Sequence, residues 1–322
     1  MYRPRCGAAT TTYRRPTLST AHALDVEYEI DPDLVPQRPE IPDDPSAVWP
    51  GLRRIGVRSS LGQYLKELWY WRSFMITVPL NDMRAQNQNT FFGQLWHLLN
   101  PLMLAVIYYV IFGLILGISR GGVENYSAFL IVGVITFNYT RTSVRSGART
   151  IVRNRKLVQS INFPRAVLPV SALLENVVSH CIAIGVMWMV LIVTGIRPTV
   201  MWLLVVPIVL IHSLFNVGLA MFVARFAFHF RDTTQFLPYV MRIWFYMSGV
   251  LIPIEKRFVQ MPSARAVLQA NPAYVIIDVS RDAFMHGVVD SQQLLIAAAW
   301  GLALFVGGFT YFRLAESEYG LA

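Results

Sequence analysis

Arg141, Arg145, Arg149 and Arg153 recur every four residues in a chain of 322. That spacing stacks side chains on one side of a helix, so a helix here carries a column of four guanidiniums. A planar guanidinium presents a fork of N–H donors that matches phosphate oxygens, and the column could hold the phosphates of a lipid carrier. The commoner use of such residues is anchoring to anionic headgroups at a membrane surface, and spacing alone leaves both readings open. Arg225 and Arg242, with Glu175 as a polar neighbour, raise a related question, since ionisable groups in a membrane span face a cavity, meet a partner, or pair near a helix end. Other chemistry is sparse. The six histidines form no H-E-x-x-H and no closely spaced pair, and no two acidic residues lie together within the apolar stretches. The three lysines, Lys66, Lys156 and Lys256, follow Leu65, Arg155 and Glu255, so no Gly-Lys-Ser/Thr phosphate loop exists. No catalytic or metal site is expected, and work driven by ATP would need a nucleotide on another chain. Cys6 and Cys181 are too few and too far apart for a disulfide framework, and Cys181 reads as a packed residue of an apolar run.

The elements that position these residues are set by composition. Apolar residues make up 54% of the chain and charged residues 15%, with mean hydropathy +0.44, against roughly 45–50% and about 25% in soluble domains. The excess is gathered into runs of about 20 residues, the length that crosses a bilayer. A single soluble domain is excluded. The net charge of +9 flanks the apolar runs, where membrane topology accounts for it without nucleic acid. The expected fold is an all-α polytopic membrane protein with six transmembrane helices at 98–118, 126–146, 167–194, 201–224, 237–254 and 294–312. The second is expected to span as 126–140 and to continue into the cytosol as helix. Loops 119–125 and 195–200 carry one basic residue each (Arg120, Arg197), loop 147–166 carries five, and loop 225–236 carries two (Arg225, Arg231). That asymmetry places both termini in the cytoplasm of a multi-pass protein.

Four regions follow. Residues 1–50 hold 8 of the 19 acidic residues and many prolines, without hydrophobic periodicity, and read as a disordered acidic cytosolic tail with no signal-peptide core. Residues 51–97 form a cytosolic segment. Within it, Leu61, Tyr64, Leu65, Leu68, Trp71, Met75 and Val78 fall at helical spacing, with Pro79 expected to stop the helix. Its aromatics suit a helix lying in the membrane interface, although packing on a cytosolic partner would use the same pattern. The spans occupy 98–315, and 316–322 is a short cytosolic tail. Tyr108, Tyr109 and Phe112 on the first span, and Trp244, Phe245 and Tyr246 on the fifth, offer faces on which a sugar ring could stack; interfacial belts and core packing are the commoner use. Gly113 and Gly117 form a G-x-x-x-G that permits close helix approach.

Four motifs carry a resemblance. Phe92 to Pro101 (F-G-Q-L-W-H-L-L-N-P) looks like the G-x-x-W-x-x-x-x-P approach to the first span in permeases of polysaccharide-exporting ABC transporters. Phe163-Pro164-Arg165 with Leu168-Pro169 resembles their F-P-R-x-x-L-P segment, Phe230-Arg231-Asp232 their F-R-D, and Asn271-Pro272 their N-P. Where the family has an R-D-x-K-like stretch, this chain has Asn81-Asp82-Met83-Arg84. The resemblance covers residues 60–315. It implies a non-enzymatic permease of a bacterial cytoplasmic membrane, moving glycans attached to polyprenyl diphosphate. It further implies a homodimer with two copies of a separate ATPase subunit, which carries ATP and Mg; this chain holds no cofactor. By the same resemblance, Arg153, Arg155, Lys156, Phe163, Pro164 and Arg165 belong to the ATPase-coupling loop. Arg141, Arg145 and Arg149 become candidates for the lipid diphosphate, the six aromatics for the channel wall, and 255–293 for re-entrant helices on the outer side. With 28 basic residues of which only three are lysine, the composition fits a GC-rich actinobacterial genome, whose family member exports cell-wall galactan. A small-molecule or lipid exporter, a membrane-embedded glycan transferase and a non-transporting scaffold are the rival readings.

Overall fold

The computed structural model describes residues 60–86, 95–115, 125–161, 163–230, 232–254, 260–316 and 319, and every element among them is helical. The expectations for residues 1–50, for Gly117 and for Arg231 lie outside the described residues. A Ser60/Gln63 capping box starts α1 (Leu61–Tyr70), and α2 (Arg72–Gln86) follows after a break at Trp71. The helix therefore does not stop at Pro79, which sits inside α2; the turn falls at Trp71, whose N–H bonds to Glu67 O and Trp69 O. Next come α3 (Trp96–Tyr108), continued by a π-helical segment (Tyr109–Ile115), and α4 (Tyr126–Arg153), capped by Asn125. The short α5 (Arg155–Ser160) leads to α6 (Val167–Val193), and a 3₁₀ turn (Val200–Leu204) opens α7 (Val205–His229). The chain ends in α8 (Thr233–Met247), α9 (Pro262–Gln269), α10 (Pro272–Arg281) with a π turn (Asp282–His286), and α11 (Ser291–Leu314).

Among the described residues, three helices are long and apolar enough to cross a bilayer: α6, α7 with its 3₁₀ turn, and α11. Helix α4 runs unbroken for 28 residues, so the expected extension past 140 is present. The apolar stretch 237–254 is not one helix, because α8 ends at Met247 and the chain turns at Ser248 and Gly249, the latter at φ 63°. Cys181 is exposed on α6 instead of packed, lying on the side that faces away from the other helices.

The first half of α4 is apolar on all sides and is buried on all sides, among α3, α6, α7, α8 and α10. Where α8 stops, the carbonyls of Gly249 and Val250 lose helical partners. Arg281, 3% exposed, replaces them: Nη1 donates to Gly249 O (3.0 Å) and Nη2 to Val250 O (3.0 Å). Nε and Nη2 also reach Phe129 O (3.3 and 3.2 Å), with the guanidinium carbon 3.4 Å from the centre of the Phe129 ring. The guanidinium fits because Gly133 has no Cβ, which would fall against Nη2. Helices α7 and α11 meet backbone to backbone at Gly218 and Gly308, and Gly147 of α4 comes against Ala220 of α7.

Helix α1, the start of α6 and the segment after α11 are tied by a second cluster. Tyr64 Oη donates to Glu316 Oε1 (3.0 Å), the Arg165 N–H donates to the same oxygen (2.7 Å), and the Ala166 N–H donates to Tyr64 Oη (3.3 Å). Arg313 lies over the Tyr64 ring at 5.2 Å. Burial raises the pKa of both Tyr64 and Glu316 above the ordinary ranges.

Two measurements check this packing. A Cβ at Gly308 falls on the Gly218 backbone while one at Gly307 meets nothing within 4 Å. Gly308→Ala should therefore cost about 1–3 kcal/mol and lower the Tm in detergent, while Gly307→Ala leaves it unchanged; equal Tm values would refute the close crossing. Glu316 is raised, so the folded state holds its proton more tightly, and stability falls as pH rises from the unfolded value toward the folded one. Glu316→Gln keeps an acceptor oxygen and loses the titration. Its Tm should gain on the parent's as pH rises above the ordinary glutamate range of about 4, and parallel Tm-against-pH curves would contradict the assignment.

Candidate functional site

The guanidinium column is real as geometry. Arg145, Arg149 and Arg153 line one groove of about 440 Å³ between α2, α4 and α6, within the roughly 300–1,000 Å³ typical of small-ligand sites. Arg145 and Arg149 are exposed and make no hydrogen bond or ion pair among the described residues. Arg141 departs from the column: its Nη2 donates to Asn138 Oδ1 at 2.7 Å, and it does not line the groove. The opposite wall comes from α6, with Ser171, Glu175 and Asn176, and the lip from Phe74, Val78 and Pro79 of α2. Glu175, read from the sequence as a polar residue at depth, thus stands in the same groove as the arginines.

The other cations settle differently. Arg225 Nη1 donates to Tyr311 O near the end of α11 and lies 4.0 Å from the Tyr311 ring centre, so it pairs near a helix end. Arg242 is exposed on α8. On the far side of the molecule, His286 Nδ1 is 3.0 Å from Asp282 Oδ1, and that hydrogen bond raises its pKa.

The loop between α4 and α6 divides into two parts. Arg153, Arg155 and Lys156 are exposed, as are Ser160 and Ile161. Phe163 and Pro164 are buried, with Phe163 against Trp71 (5.7 Å) and Phe74 (6.4 Å). The Arg165 guanidinium folds back onto Phe163 O (2.6 Å) and Val158 O (3.2 Å). The F-P-R segment is therefore the root of the loop, fastened to α1, α2 and Glu316, and α5 is its presented tip.

Of the six aromatics, Tyr109 and Tyr246 are exposed, and the side chains of Tyr108 and Phe112 lie outside the described residues. Phe245 is buried edge-on against Phe137 at 5.3 Å, inside this chain's own core. Trp244 packs on the same ring (5.8 Å) and donates its Nε1 hydrogen to Asn271 Oδ1 at 2.9 Å. Asn271 Oδ1 also caps α10 by accepting from Ala273 N, and Nδ2 reaches Ser248 Oγ (3.1 Å). This gives the Asn271-Pro272 motif a structural role: it starts α10 and locks it to the end of α8.

Two features were not read from the sequence. Arg281 carries no local marker of its role; its burial against Phe129 depends on a contact 152 positions apart. His180 and His212, distant in sequence, come within 5.9 Å, with His180 stacked on Tyr139 at 4.3 Å and His212 Nε2 2.7 Å from Thr140 Oγ1. Among the described residues no three His, Cys, Asp or Glu side chains gather as metal ligands.

Comparison with known proteins places this architecture. The family model of the ABC-2 type transporter matches residues 80–285. The chain is 27% identical over 254 residues to an O-antigen export system permease protein RfbA of Klebsiella pneumoniae, covering 78% of this chain and 95% of that protein. It is similarly 27% identical over 257 residues to the protein of the same name from Myxococcus xanthus, covering 79% and 97%. A helical chain with long apolar helices, matched over most of its length, belongs to the ABC-2 type transporter family.

Proposed function

We propose that this protein is the membrane channel subunit of an ATP-driven exporter that moves polyprenyl-diphosphate-linked polysaccharide, of the cell-wall galactan kind, across a bacterial cytoplasmic membrane. The observation that carries the reading is the match to O-antigen export permeases over nearly their whole length. The arginine-rich composition supports the narrower galactan assignment. The chain hydrolyses nothing itself. Two copies pair, and two copies of a separate ATPase subunit bind ATP and Mg and dock on the exposed tip at Arg153, Arg155 and Lys156. Because Phe163, Pro164 and Arg165 bind the root of that loop to α1, α2 and Glu316, a push on the tip moves those elements as a unit.

In this reading six crossings are made by α3 with its π segment, the first half of α4, and α6, α7, α8 and α11, with both termini in the cytoplasm. Helix α8 has 15 residues, about 22 Å, which is short of a hydrocarbon core of about 30 Å. The buried turn at Ser248 and Gly249 and the short helices α9 and α10 complete its layer as re-entrant elements. Helix α1 exposes Leu61, Leu65, Trp69 and Tyr70, the face of an interfacial helix. The lipid diphosphate is drawn from the inner leaflet by Arg145 and Arg149; Arg141, committed to Asn138, stabilises the helix instead. Tyr109 and Tyr246 are the described aromatics left to face a passing glycan.

Depletion of the protein should leave full-length polyprenyl-diphosphate-linked polymer accumulating on the cytoplasmic side. Arg145→Glu with Arg149→Glu should reproduce that accumulation in a protein that still assembles. Truncated polymer would indicate a synthetic role, and an unchanged pool would remove polysaccharide as the substrate.

A further inference from the structure

The groove between α2, α4 and α6 is chemically divided. Beside the guanidiniums of Arg145, Arg149 and Arg153 runs a second column on α4, offset by one residue: Thr142, Ser146 and Thr150. Each hydroxyl has one proton to give, and each has given it to its own helix. Thr142 Oγ1 donates to Asn138 O (2.9 Å), Ser146 Oγ to Ser143 O (3.1 Å) and Thr150 Oγ1 to Gly147 O (2.7 Å). On the facing helix, Ser171 Oγ donates to Leu168 O (2.8 Å). Asn176 gives both amide hydrogens away, to Ser146 Oγ (2.8 Å) and Ala172 O (2.6 Å), which leaves its Oδ1 as an acceptor. Glu175 adds a carboxylate. One wall of the groove therefore only donates, and its floor mainly accepts.

A phosphate can only accept, so it belongs on the arginine wall. A lone anion would find the carboxylate and lone pairs opposite it unfavourable. The floor calls for a ligand bearing hydroxyl donors next to its phosphates. We propose that the groove reads the first sugar of a glycosyl diphosphate lipid together with its phosphates. Arg145 and Arg149 take the diphosphate, and Glu175, Asn176 Oδ1 and Ser171 accept from sugar hydroxyls. The prenyl chain leaves along Phe74, Val78 and Pro79. This rests on the exporter reading above and adds to it a selection step: a carrier that has lost its glycan lacks the donors the floor requires and is bound poorly.

The test uses the full-length protein in lipid nanodiscs and two probes, farnesyl diphosphate and farnesyl diphosphate bearing a single hexose. The unsubstituted protein should bind the hexosyl probe at least about tenfold more tightly, a difference of about 1.4 kcal/mol. Glu175→Ala with Ser171→Ala should bring that ratio toward one without weakening farnesyl diphosphate, whereas Arg145→Ala with Arg149→Ala should weaken both probes. The ratio is read within each protein, and the ratio of the unsubstituted protein decides. Equal affinities for the two probes overturn the sugar site. Phosphatidylglycerol vesicles competing as well as the hexosyl probe would reduce the groove to a general anionic-lipid site. If neither probe binds while depletion still traps polymer inside, the exporter reading stands and the groove assignment falls.

Discussion

A buried backbone carbonyl left without a donor is costly, so a chain that breaks a helix inside its own core must bring a donor with it. This chain breaks at Ser248 and Gly249, and the donor is the Arg281 guanidinium, delivered from α10 on the far side of a loop. That one group also reaches Phe129 O, in the first turn of α4. The consequences spread outward. Gly133 must lack a side chain, α10 must start at Asn271 to present Arg281 at the right height, and Asn271 in turn holds Trp244. This end of the core is thus a set of mutually dependent hydrogen bonds built around a single interruption.

The second half of α4 follows a different logic. There α4 leaves its apolar surroundings and becomes polar along one side, so the same rigid helix that forms the core carries Arg145, Arg149 and Arg153 to the groove. Positioning these arginines on a continuous helix fixes their spacing, while α2 and α6 supply the other walls. The F-P-R root sits next to this groove, and through the Phe163 contact the root of the loop and the groove share the Phe74 side chain.

The helical character, the extension of α4 past residue 140 and the arginine column were legible because each rests on local periodicity. Legibility failed where long-range contacts override local signals. Pro79 is a helix stop by itself, yet α2 continues through it and packs on α6. The apolar run 237–254 hides a turn, because Gly249 and its neighbours are buried and satisfied by Arg281 and so carry no polar marker. Phe245 and Tyr246 are adjacent and look equivalent, but one turns into Phe137 and the other outward. Cys181 was read as packed from an apolar context, and an apolar context also describes a surface facing lipid.

The bond between Tyr64 and Glu316 joins residues 252 positions apart. Synthesis runs from the amino end, so Tyr64 emerges long before its acceptor, and the long helices between them can be laid down first. The entropic toll of closing so large a loop grows only with the logarithm of its length, and by then the intervening helices have shortened the path. Glu316 therefore acts as a late clasp: the face carrying α1 and the F-P-R root takes its final form only after the last helix is in place. A chain that has not yet reached Glu316 lacks the acceptor that ties α1 to the F-P-R root, which gives folding of this face an order without a dedicated checkpoint.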